Sequence, residues 1–513
     1  MTSIYLVCAL VISACGTEVE RIPGRECSLA LFVHTPPNQD AFAGVHELRV
    51  QLFRPDEETV IRRVDPSATE FVLTASPVEG ASLLLEGLDA VGTVLASGQS
   101  APFDLLPQAA AEVHLLFARK GEFARLLGTL AAGRFGHSLT ALPDGRVLVM
   151  GGASEGDIDS PSVFVGPEIY DPRTQSSCAM LGSACPIFSG ADLRFGHTAT
   201  ATDQGKVVIF GGYDENGNTE NSVLVFEYEA DAFRKIQNID ITKVVPRAHH
   251  AAAQLLVYDE PSGEMRDSIL FAGGEKNGAS APEVLSSVLL FDTRTEIFTR
   301  TDLSLSQARS KAIATTFGPE SDLVLLSGGE NEQGLVGPVE LFRGGEFIDW
   351  RTEGSGAGTD LHSMRTHHLA LSFEGGVLVV GGDDGELSLD APELFFYGGD
   401  LGTGMFSLDV ASSPPTHTGR RSPLGVVLES GAVLLAGGET LGAGERNWTD
   451  SVEWLVHQAG SQQVDYIEMD ELPGARSFMA WCALPGGGIL LAGGLTLGVG
   501  GPVSSGEVWY YNP

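Results

Sequence analysis

Basic residues are scarce in this 513-residue chain, which has 31 lysines and arginines against 67 aspartates and glutamates and a formal net charge of −36. Such an acidic surface repels the phosphate backbone of nucleic acids, so we expect no nucleic-acid partner. The acidic residues are spread along the chain without a long acidic tail. This distribution is typical of a solvated surface rather than of a dedicated cation-binding segment.

Motifs of metal and catalytic chemistry are also lacking. The sequence has no CxxC, no His/Cys cluster with zinc spacing, no HExxH and no phosphate-binding glycine loop. The loop that begins at Asp214 alternates Asp and Asn like a calcium loop, but its glycine is misplaced and the terminal bidentate acid is missing. We therefore expect neither a metal nor another cofactor.

Only six cysteines occur in the chain, at positions 8, 15, 27, 178, 185 and 482. Cys178 and Cys185 are seven residues apart, a spacing that allows a disulfide to close a small loop in an oxidising compartment.

Helical periodicity is weak throughout. The apolar runs are about four to seven residues long and rich in Val, Leu and Phe, and the chain contains 64 glycines. Such runs favour strands over helices, and the length exceeds that of one ordinary domain. The sequence therefore predicts an all-β protein with more than one domain.

The chain opens with MTSIYLVCALVISACG, in which residues 4–14 form an apolar stretch too short to span a bilayer. The end of this stretch, Ile12 to Cys15, resembles the lipobox of bacterial lipoproteins, although no Lys or Arg precedes it. The resemblance implies a signal peptide over residues 1–14, a lipid on Cys15 and a tether over residues 15–25. Because Gly16 rather than Asp follows the cysteine, it also implies an outer-membrane or cell-surface location. An ordinary signal peptide and a buried N-terminal strand remain alternatives, and no other segment is a candidate membrane span.

A unit of 53 to 62 residues recurs seven times after residue 119. Each unit has an apolar strand that ends in a glycine pair, at 151–152, 211–212, 273–274, 328–329, 381–382, 437–438 and 493–494. An arginine leads each unit, at Arg134, Arg194, Arg247, Arg309, Arg365, Arg421 and Arg476. A third strand carries an acidic residue beside an aromatic, and a fourth begins with an aromatic.

Four strands per unit and a glycine pair after the second resemble the kelch repeat, which folds as one blade of a β-propeller. The absence of a Trp-Asp dipeptide argues against WD40, the nearest alternative by period. The resemblance covers residues 119–513 and implies a seven-bladed kelch-type propeller. The seventh unit ends without a fourth strand, and Phe123 precedes Arg134 by eleven residues, as Phe298 precedes Arg309. We therefore expect residues 121–127 to complete the last blade.

Residues 26–118 have none of these landmarks. The segment HELRVQLFR places Leu48, Val50 and Leu52 on one face of a strand, and residues 89–92 are a candidate hairpin turn. Six or seven short strands in this span predict a small antiparallel, immunoglobulin-like β-sandwich that acts as a spacer.

Two sets of residues are candidates for function. The seven arginines are candidate ligand contacts at a channel mouth, where guanidinium groups bind carboxylates; the alternative is pairing with third-strand acids such as Glu168, Glu340 and Glu393. Histidines follow the arginine by three residues in four units, at His137, His197, His250 and His368. The remaining units have Ala312, Leu424 and Met479 there, which favours core histidines over a metal site.

These observations predict two alternative functions. The first is a monomeric, lipid-anchored surface protein without catalytic activity that binds a protein or glycan partner. The second is an extracellular carbohydrate-active enzyme, similar to galactose oxidase or a sugar mutarotase, with its site at a channel mouth. No catalytic residue is assigned, and a propeller fold alone does not decide between them.

Overall fold

The computed structural model describes residues 6–12, 28–67, 70–73, 77–106, 110–178, 193–237, 239–240, 242–259, 262–279, 281–318, 320–348, 360–373, 375–397, 408–412, 416, 418–428, 430–442, 445–457, 464–499 and 501–513. Every element bounded in these ranges is a β-strand. None of the described residues belongs to a helix long and apolar enough to cross a membrane.

Ten strands form an N-terminal module: β1 (Leu6–Ile12), β2 (Ser28–His34), β3 (Glu47–Phe53), β4 (Val60–Val64), β5 (Glu70–Leu73), β6 (Val78–Leu88), β7 (Val94–Gln99), β8 (Phe103–Leu105), β9 (Ala110–Leu116) and β10 (Ala118–Arg119). One sheet has the order β5-β1-β2-β9 and the other β10-β7-β6-β3-β4, with β8 paired to β6. Leu48, Val50 and Leu52 are buried in a core to which both sheets contribute, as their alternation predicts. The module is therefore a two-sheet sandwich.

Two features of this module bear on the sequence predictions. Its first sheet is mixed rather than antiparallel, because β1 pairs in parallel with β5 and β2 pairs in parallel with β9. The predicted turn is present: Asp89 and Thr93 are hydrogen-bonded between β6 and β7. The apolar segment at the N-terminus forms β1, between β5 and β2. Cys15 lies outside the described residues, so its lipidation stays a prediction.

The remaining strands are β11 (Phe123–Thr129), β12 (Ser138–Ala141), β13 (Val147–Met150), β14 (Ala153–Gly156), β15 (Pro161–Phe164), β16 (Glu168–Asp171), β17 (Ser176–Ser177), β18 (Thr198–Ala201), β19 (Val207–Phe210), β20 (Val223–Glu227), β21 (Ala232–Lys235), β22 (Ala251–Asp259), β23 (Glu264–Ala272), β24 (Glu275–Lys276), β25 (Glu283–Val284), β26 (Ser287–Asp292), β27 (Ile297–Ser304), β28 (Ile313–Phe317), β29 (Leu323–Ser327) and β30 (Glu330–Asn331). They continue with β31 (Gly334–Leu335), β32 (Glu340–Arg343), β33 (Glu346–Ile348), β34 (Thr366–Phe373), β35 (Gly376–Asp383), β36 (Glu393–Tyr397), β37 (Leu408–Ser412), β38 (Leu424–Val427), β39 (Val433–Ala436), β40 (Glu439–Gly442), β41 (Glu445–Trp448), β42 (Val452–His457), β43 (Val464–Glu468), β44 (Arg476–Ser477), β45 (Ala480–Ala483), β46 (Ile489–Ala492), β47 (Leu495–Gly498), β48 (Gly501–Ser504) and β49 (Glu507–Tyr511).

Twenty-eight of these strands form seven four-stranded antiparallel sheets, numbered here in the order of the repeat units, and the other eleven form four two-stranded sheets and one three-stranded sheet. Sheets 1 to 6 have the orders β12-β13-β16-β17, β18-β19-β20-β21, β22-β23-β26-β27, β28-β29-β32-β33, β34-β35-β36-β37 and β38-β39-β42-β43, and sheet 7 has the order β45-β46-β49-β11. In sheet 7, Phe123 pairs with Tyr511 and Arg125 with Trp509. This confirms that a strand upstream of the first unit completes the last sheet.

Each sheet packs against two others. The second strand is buried on both faces, so alternate residues enter different cores: Val147 and Val149 pack toward sheet 7, whereas Leu148 and Met150 pack toward sheet 2. Seven apolar clusters are each shared by two sheets, including one that joins sheets 6 and 7. A sheet with two apolar faces cannot bury both alone, which is why the unit is repeated.

The glycine pairs link neighbouring sheets. All fourteen glycines have positive φ, between 58° and 106°, a region that is cheap only for glycine. The second glycine of each pair donates a hydrogen bond to the carbonyl of the arginine that leads the next unit, for example from Gly152 to Arg194 and from Gly212 to Arg247. The seventh such bond runs from Gly494 to Arg134 and returns to the first unit.

Every sheet has two different ends. At the glycine end lie the arginine, the glycine pair and the segment that joins the second and third strands. At the hairpin end lie the turns between the first and second strands and between the third and fourth. The N-terminal module contacts the hairpin end: Gln175 donates to the Thr35 carbonyl, and the buried Asn512 side chain bonds to Ser97 and Ala118. The glycine end therefore faces away from that module.

Candidate functional site

The leading arginines lie inside the protein rather than at its surface. Arg134, Arg247, Arg309 and Arg365 are at most 1% exposed, and Arg194 and Arg476 are 2% and 3% exposed. Arg309 illustrates the pattern: it donates to the carbonyls of Gly328 and Pro338 and to Glu340 Oε1. The guanidinium thus holds the glycine pair and the third strand of its own sheet together.

The structure corrects the register of the sixth arginine. Arg420, not Arg421, is fully buried, donates to the Gly437 carbonyl and pairs with Glu453. Its carbonyl also accepts the hydrogen bond from Gly382 that identifies the leading arginine in every other unit. The two arginines are adjacent, and the sequence alone does not distinguish them.

Third-strand glutamates are the partners of most of these arginines. Arg134 pairs with Glu168, Arg365 with Glu393 and Arg476 with Glu507, in addition to the pairs of Arg309 and Arg420. Pairing with Glu168, Glu340 and Glu393 is the alternative to ligand binding that we derived from the sequence. Because these guanidiniums are buried and paired within their sheets, we do not carry them forward as ligand contacts.

The histidines three residues after the arginine belong to the cores between sheets. His197, His250 and His368 hydrogen-bond Ser138, Thr198 and Ser327, and each ring packs against the first glycine of the preceding pair. Burial lowers the pKa of all four, to about 3 for His197 and His368. Because Arg420 leads unit 6, the residue three positions later is Pro423 rather than Leu424, and Pro423 packs against Gly381 as the histidines pack against their glycines.

These histidines predict a loss of stability in mild acid. A histidine held neutral in the folded state has a folded pKa below its unfolded value of 6.5, so stability is complete above pH 6.5 and declines as the pH falls below it. Each such histidine contributes at most about 1.4 kcal/mol per pH unit. We expect a lower melting temperature at pH 5 than at pH 7.5, with a smaller difference in His197→Gln. Equal melting temperatures at both values would contradict this assignment.

The residue two positions after the arginine is exceptional in every unit. It has positive φ, between 46° and 67°, in all seven: Gly136, Gly196, His249, Lys311, His367, Ser422 and Phe478. Non-glycine residues in this region cost about 1–3 kcal/mol each and concentrate at functional sites. Backbone bonds join neighbouring members, from His249 to the Gly196 carbonyl and from Lys311 to the His249 carbonyl. Five side chains are therefore held in a strained conformation at the glycine end.

A second position, directly after the glycine pair, lies beside the first. It is acidic in four consecutive units, as Glu275, Glu330, Asp383 and Glu439. Together with His249, Lys311, His367 and Arg421, these acids form what we name the central cluster.

The central cluster is a network of paired charges. Lys311 Nζ lies 2.7 Å from Glu330 Oε1, and Tyr213 donates to Glu275 Oε1 over 2.7 Å. His367 Nδ1 lies 3.1 Å from Asp383 Oδ2, and Arg421 Nη2 lies 3.3 Å from His367 Nε2. Because Arg421 only donates, His367 is neutral, with its proton on Nδ1 directed to Asp383.

The electrostatics of the cluster agree with this pairing. Burial lowers the pKa of His249 and His367. Burial raises the pKa of Asp383, but the hydrogen bond from His367 and the charge of Arg421 outweigh it, and the net pKa is lowered. Burial raises the pKa of Glu439, although Arg421 lies 3.6 Å away. Most acids of the central cluster are thus already paired with a neighbouring side chain of the protein.

Apolar side chains of repeat units 7, 1 and 2 complete the glycine end. Phe135, Ala153, Phe195 and Leu495 are buried, and Ile158, Phe164, Tyr213 and Phe478 pack on them partly exposed. Phe478 touches the central cluster, since its ring centroid lies 5.9 Å from the Arg421 guanidinium carbon. One side of the site is charged and the other is aromatic.

The other predicted site residues are not brought together here. Cys178 is disulfide-bonded, whereas the predicted partner Cys185 and the lipidation residue Cys15 lie outside the described residues. Cys482 is a buried free thiol between sheets 1 and 7. In the ranges that the structure describes, no three His, Cys, Asp or Glu side chains form a group able to hold a metal ion.

One of the repeat units matches a known protein family. Residues 194–238 match the family model described as Kelch motif. The match spans sheet 2 from its leading arginine to the end of its fourth strand, so the chain carries a Kelch motif in an all-β fold. A Kelch motif suggests a protein-interaction domain. No curated protein matches the chain.

Proposed function

We propose that the seven sheets are the blades of a closed kelch-type β-propeller, and that the chain is a non-catalytic recognition protein. The single observation that carries this proposal is the bond from Gly494 to Arg134, which repeats between the last and first units the link made between all the others. In such a ring the positions two after each arginine surround the axis, and the central cluster lies at one mouth of the channel.

Binding at this mouth accounts for the strained backbone. His249, Lys311, His367, Ser422 and Phe478 have side chains where units 1 and 2 have glycine. Glycine would remove the strain, so these side chains have a use other than stability. Paired charges beside aromatic rings provide hydrogen bonds and apolar contact to a protein or glycan partner.

The second candidate is the extracellular carbohydrate-active enzyme. The His367–Asp383 pair favours it, because a neutral imidazole oriented by a carboxylate is the arrangement of a general base. Against it, Arg421 Nη2 faces His367 Nε2, the nitrogen that would accept the proton. Binding without turnover is therefore the function that we prefer.

We further propose that residues 1–14 are a signal peptide, so that β1 is absent from the mature chain, and that a lipid on Cys15 anchors the protein at the cell surface. Acyl chains add about 0.8 kcal/mol for each buried CH₂, and a stable anchor needs more than one chain, as a lipobox cysteine provides. Because the N-terminal module contacts the hairpin end, an anchor before it leaves the glycine end directed away from the membrane. Globomycin treatment with mass measurement of the N-terminal peptide tests this: a diacylated Cys15 is expected, and an unmodified cysteine would refute it.

The functional experiment uses a secreted form with Cys15→Ser on arrays of glycans and peptides, with turnover of every glycan binder measured. We expect specific binding to at least one member and no turnover. Conversion of an arrayed sugar that is lost in His367→Ala would establish the enzyme instead.

Lys311→Gly separates binding from stability. Relief of the positive φ gains about 1 kcal/mol, which offsets loss of the part-exposed pair with Glu330. We expect an unchanged or higher melting temperature and a loss of affinity of about tenfold for the array ligand. Lys206→Ala, which removes the lysine paired with Glu296 at the hairpin end, is the matched control. A Lys311→Gly protein that binds normally would exclude this residue from the site.

A further inference from the structure

The segments that follow the glycine pairs are strongly acidic. There are seven of them, at the glycine end: 153–166, 213–221, 275–285, 330–338, 383–391, 439–450 and 495–505. They contain seventeen acidic residues against two basic ones, Lys276 and Arg446, and all seventeen lie in the first six segments. We name these six segments the acidic rim. Glu215, Glu332 and Glu445 are examples of its exposed side chains.

Part of the charge at the hairpin end is paired between sheets. Arg146 of sheet 1 binds Asp231 of sheet 2 with two hydrogen bonds of 2.8 Å. Lys206 and Arg234 of sheet 2 both contact Glu296 of sheet 3. Four of the seventeen rim acids belong to the central cluster, where Lys311 and Arg421 also lie. The other thirteen have only two basic residues, Lys276 and Arg446, in their own segments.

The seventh segment interrupts the acidic rim with an apolar surface. It has no charged residue, and its hairpin of β47 and β48 exposes Leu497 by 70%, Val503 by 50% and Val499 completely. Val163 of the neighbouring β15 is also exposed, and Ser504 joins the two units through a bond to the Ser154 carbonyl. We name Leu497, Val499, Val503 and Val163 the apolar hairpin patch.

Resting on the proposed binding function, we propose that the partner is a cationic polypeptide segment with an aliphatic anchor, whose basic side chains contact the acidic rim and whose anchor covers the apolar hairpin patch. Charge complementarity selects this occupant: the rim attracts Lys and Arg and repels nucleic acid, acidic glycans and anionic lipid. It also repels the rim of a second copy, which disfavours self-association through this face. Exposed aliphatic clusters of this kind mark interaction surfaces.

The test uses a fluorescein-labelled peptide of alternating Lys and Leu, with a Lys/Ser peptide and a Glu/Leu peptide of equal length as comparisons. Fluorescence anisotropy with the secreted form is measured at 50 and 500 mM NaCl. We expect the Lys/Leu peptide to bind most tightly, the Lys/Ser peptide about tenfold more weakly and the Glu/Leu peptide not at all. Affinity is expected to fall at the higher salt concentration.

Matched variants locate the surface. The rim variant E215Q/E332Q/E445Q and the control variant E229Q/E320Q/E346Q change the charge equally, and the control residues are exposed at the hairpin end. We expect at least a fivefold loss for the rim variant and less than a twofold loss for the control. L497S/V499S is expected to reduce affinity for the Lys/Leu peptide to that of the Lys/Ser peptide.

Equal losses in the rim and control variants would overturn the proposal, as would an unchanged affinity in L497S/V499S. Concentration-dependent dimerisation that L497S/V499S abolishes would show that a second copy covers the patch and would also overturn it. An array ligand that is not cationic refutes this inference but leaves the recognition function standing, whereas turnover of an arrayed sugar refutes the recognition function itself. The two failures are therefore distinguishable.

Discussion

Deletion of residues 507–513 is expected to abolish the cooperative unfolding transition of the seven sheets. The deletion removes β49, which lies between β46 and β11 in the middle of sheet 7. Val508, Tyr510 and Tyr511 are each at most 3% exposed, and they enter the apolar clusters that sheet 7 shares with sheets 1 and 6. Loss of a buried aromatic side chain costs about 3–5 kcal/mol, so losing Tyr510 and Tyr511, together with Val508 and the rest of the strand, exceeds a typical stability of about 5–15 kcal/mol.

Calorimetry and near-ultraviolet circular dichroism measure this effect. Deletion of Pro513 alone is the control and should leave the transition intact, because Asn512 still bonds to Ser97 and Ala118. A protein without residues 507–513 that melts at the temperature of the full chain would show that the seven sheets do not depend on this strand.

Arg420→Ala is expected to destabilise the fold by about 3–5 kcal/mol, the range for removing one partner of a buried ion pair. The substitution leaves Glu453, which is 1% exposed, without this guanidinium, and removes one donor each from the carbonyls of Gly437 and Ser451.

Two neighbouring substitutions provide the controls, and urea denaturation measures all three. Arg446→Ala removes an arginine that is 34% exposed and should cost about 1 kcal/mol or less. Arg421→Ala should cost less than Arg420→Ala, because His367 still holds Asp383 and Ser477 still bonds to Glu439. If Arg421→Ala is the more destabilising, the register assigned to unit 6 is wrong.

The repeated landmarks predicted the sheets because each has a physical reason to recur. The glycine pair is required where positive φ and a close neighbouring backbone coincide: a Cβ on Gly151 would lie 2.2 Å from the Arg194 carbonyl oxygen. The return of the chain through Phe123 followed from its spacing to Arg134. Both features are local, so they can be read along the chain.

What the sequence analysis missed depends on contacts between units. The parallel pairing of β2 with β9 joins residues about eighty positions apart, and no local pattern specifies it. The residues of the central cluster differ between units. The position two after the leading arginine is glycine in units 1 and 2, at Gly136 and Gly196, but it is His249, Lys311 and His367 in units 3 to 5. The sequence therefore does not show this position as a repeated landmark. A signal was nonetheless present, because the residue after the glycine pair is acidic in four consecutive units.

The proposed closure of the ring by the upstream strand is tested most directly by a disulfide between the two strands that complete sheet 7. Arg125 and Trp509 are paired residues on β11 and β49, so Arg125→Cys/Trp509→Cys places two thiols opposite each other. Under mild oxidation we predict a new intramolecular disulfide between positions 125 and 509, found by mass spectrometry in one peptide that joins the two segments, and a higher melting temperature. Two free thiols in the folded, oxidised protein, or bonds formed only between molecules, would contradict the account.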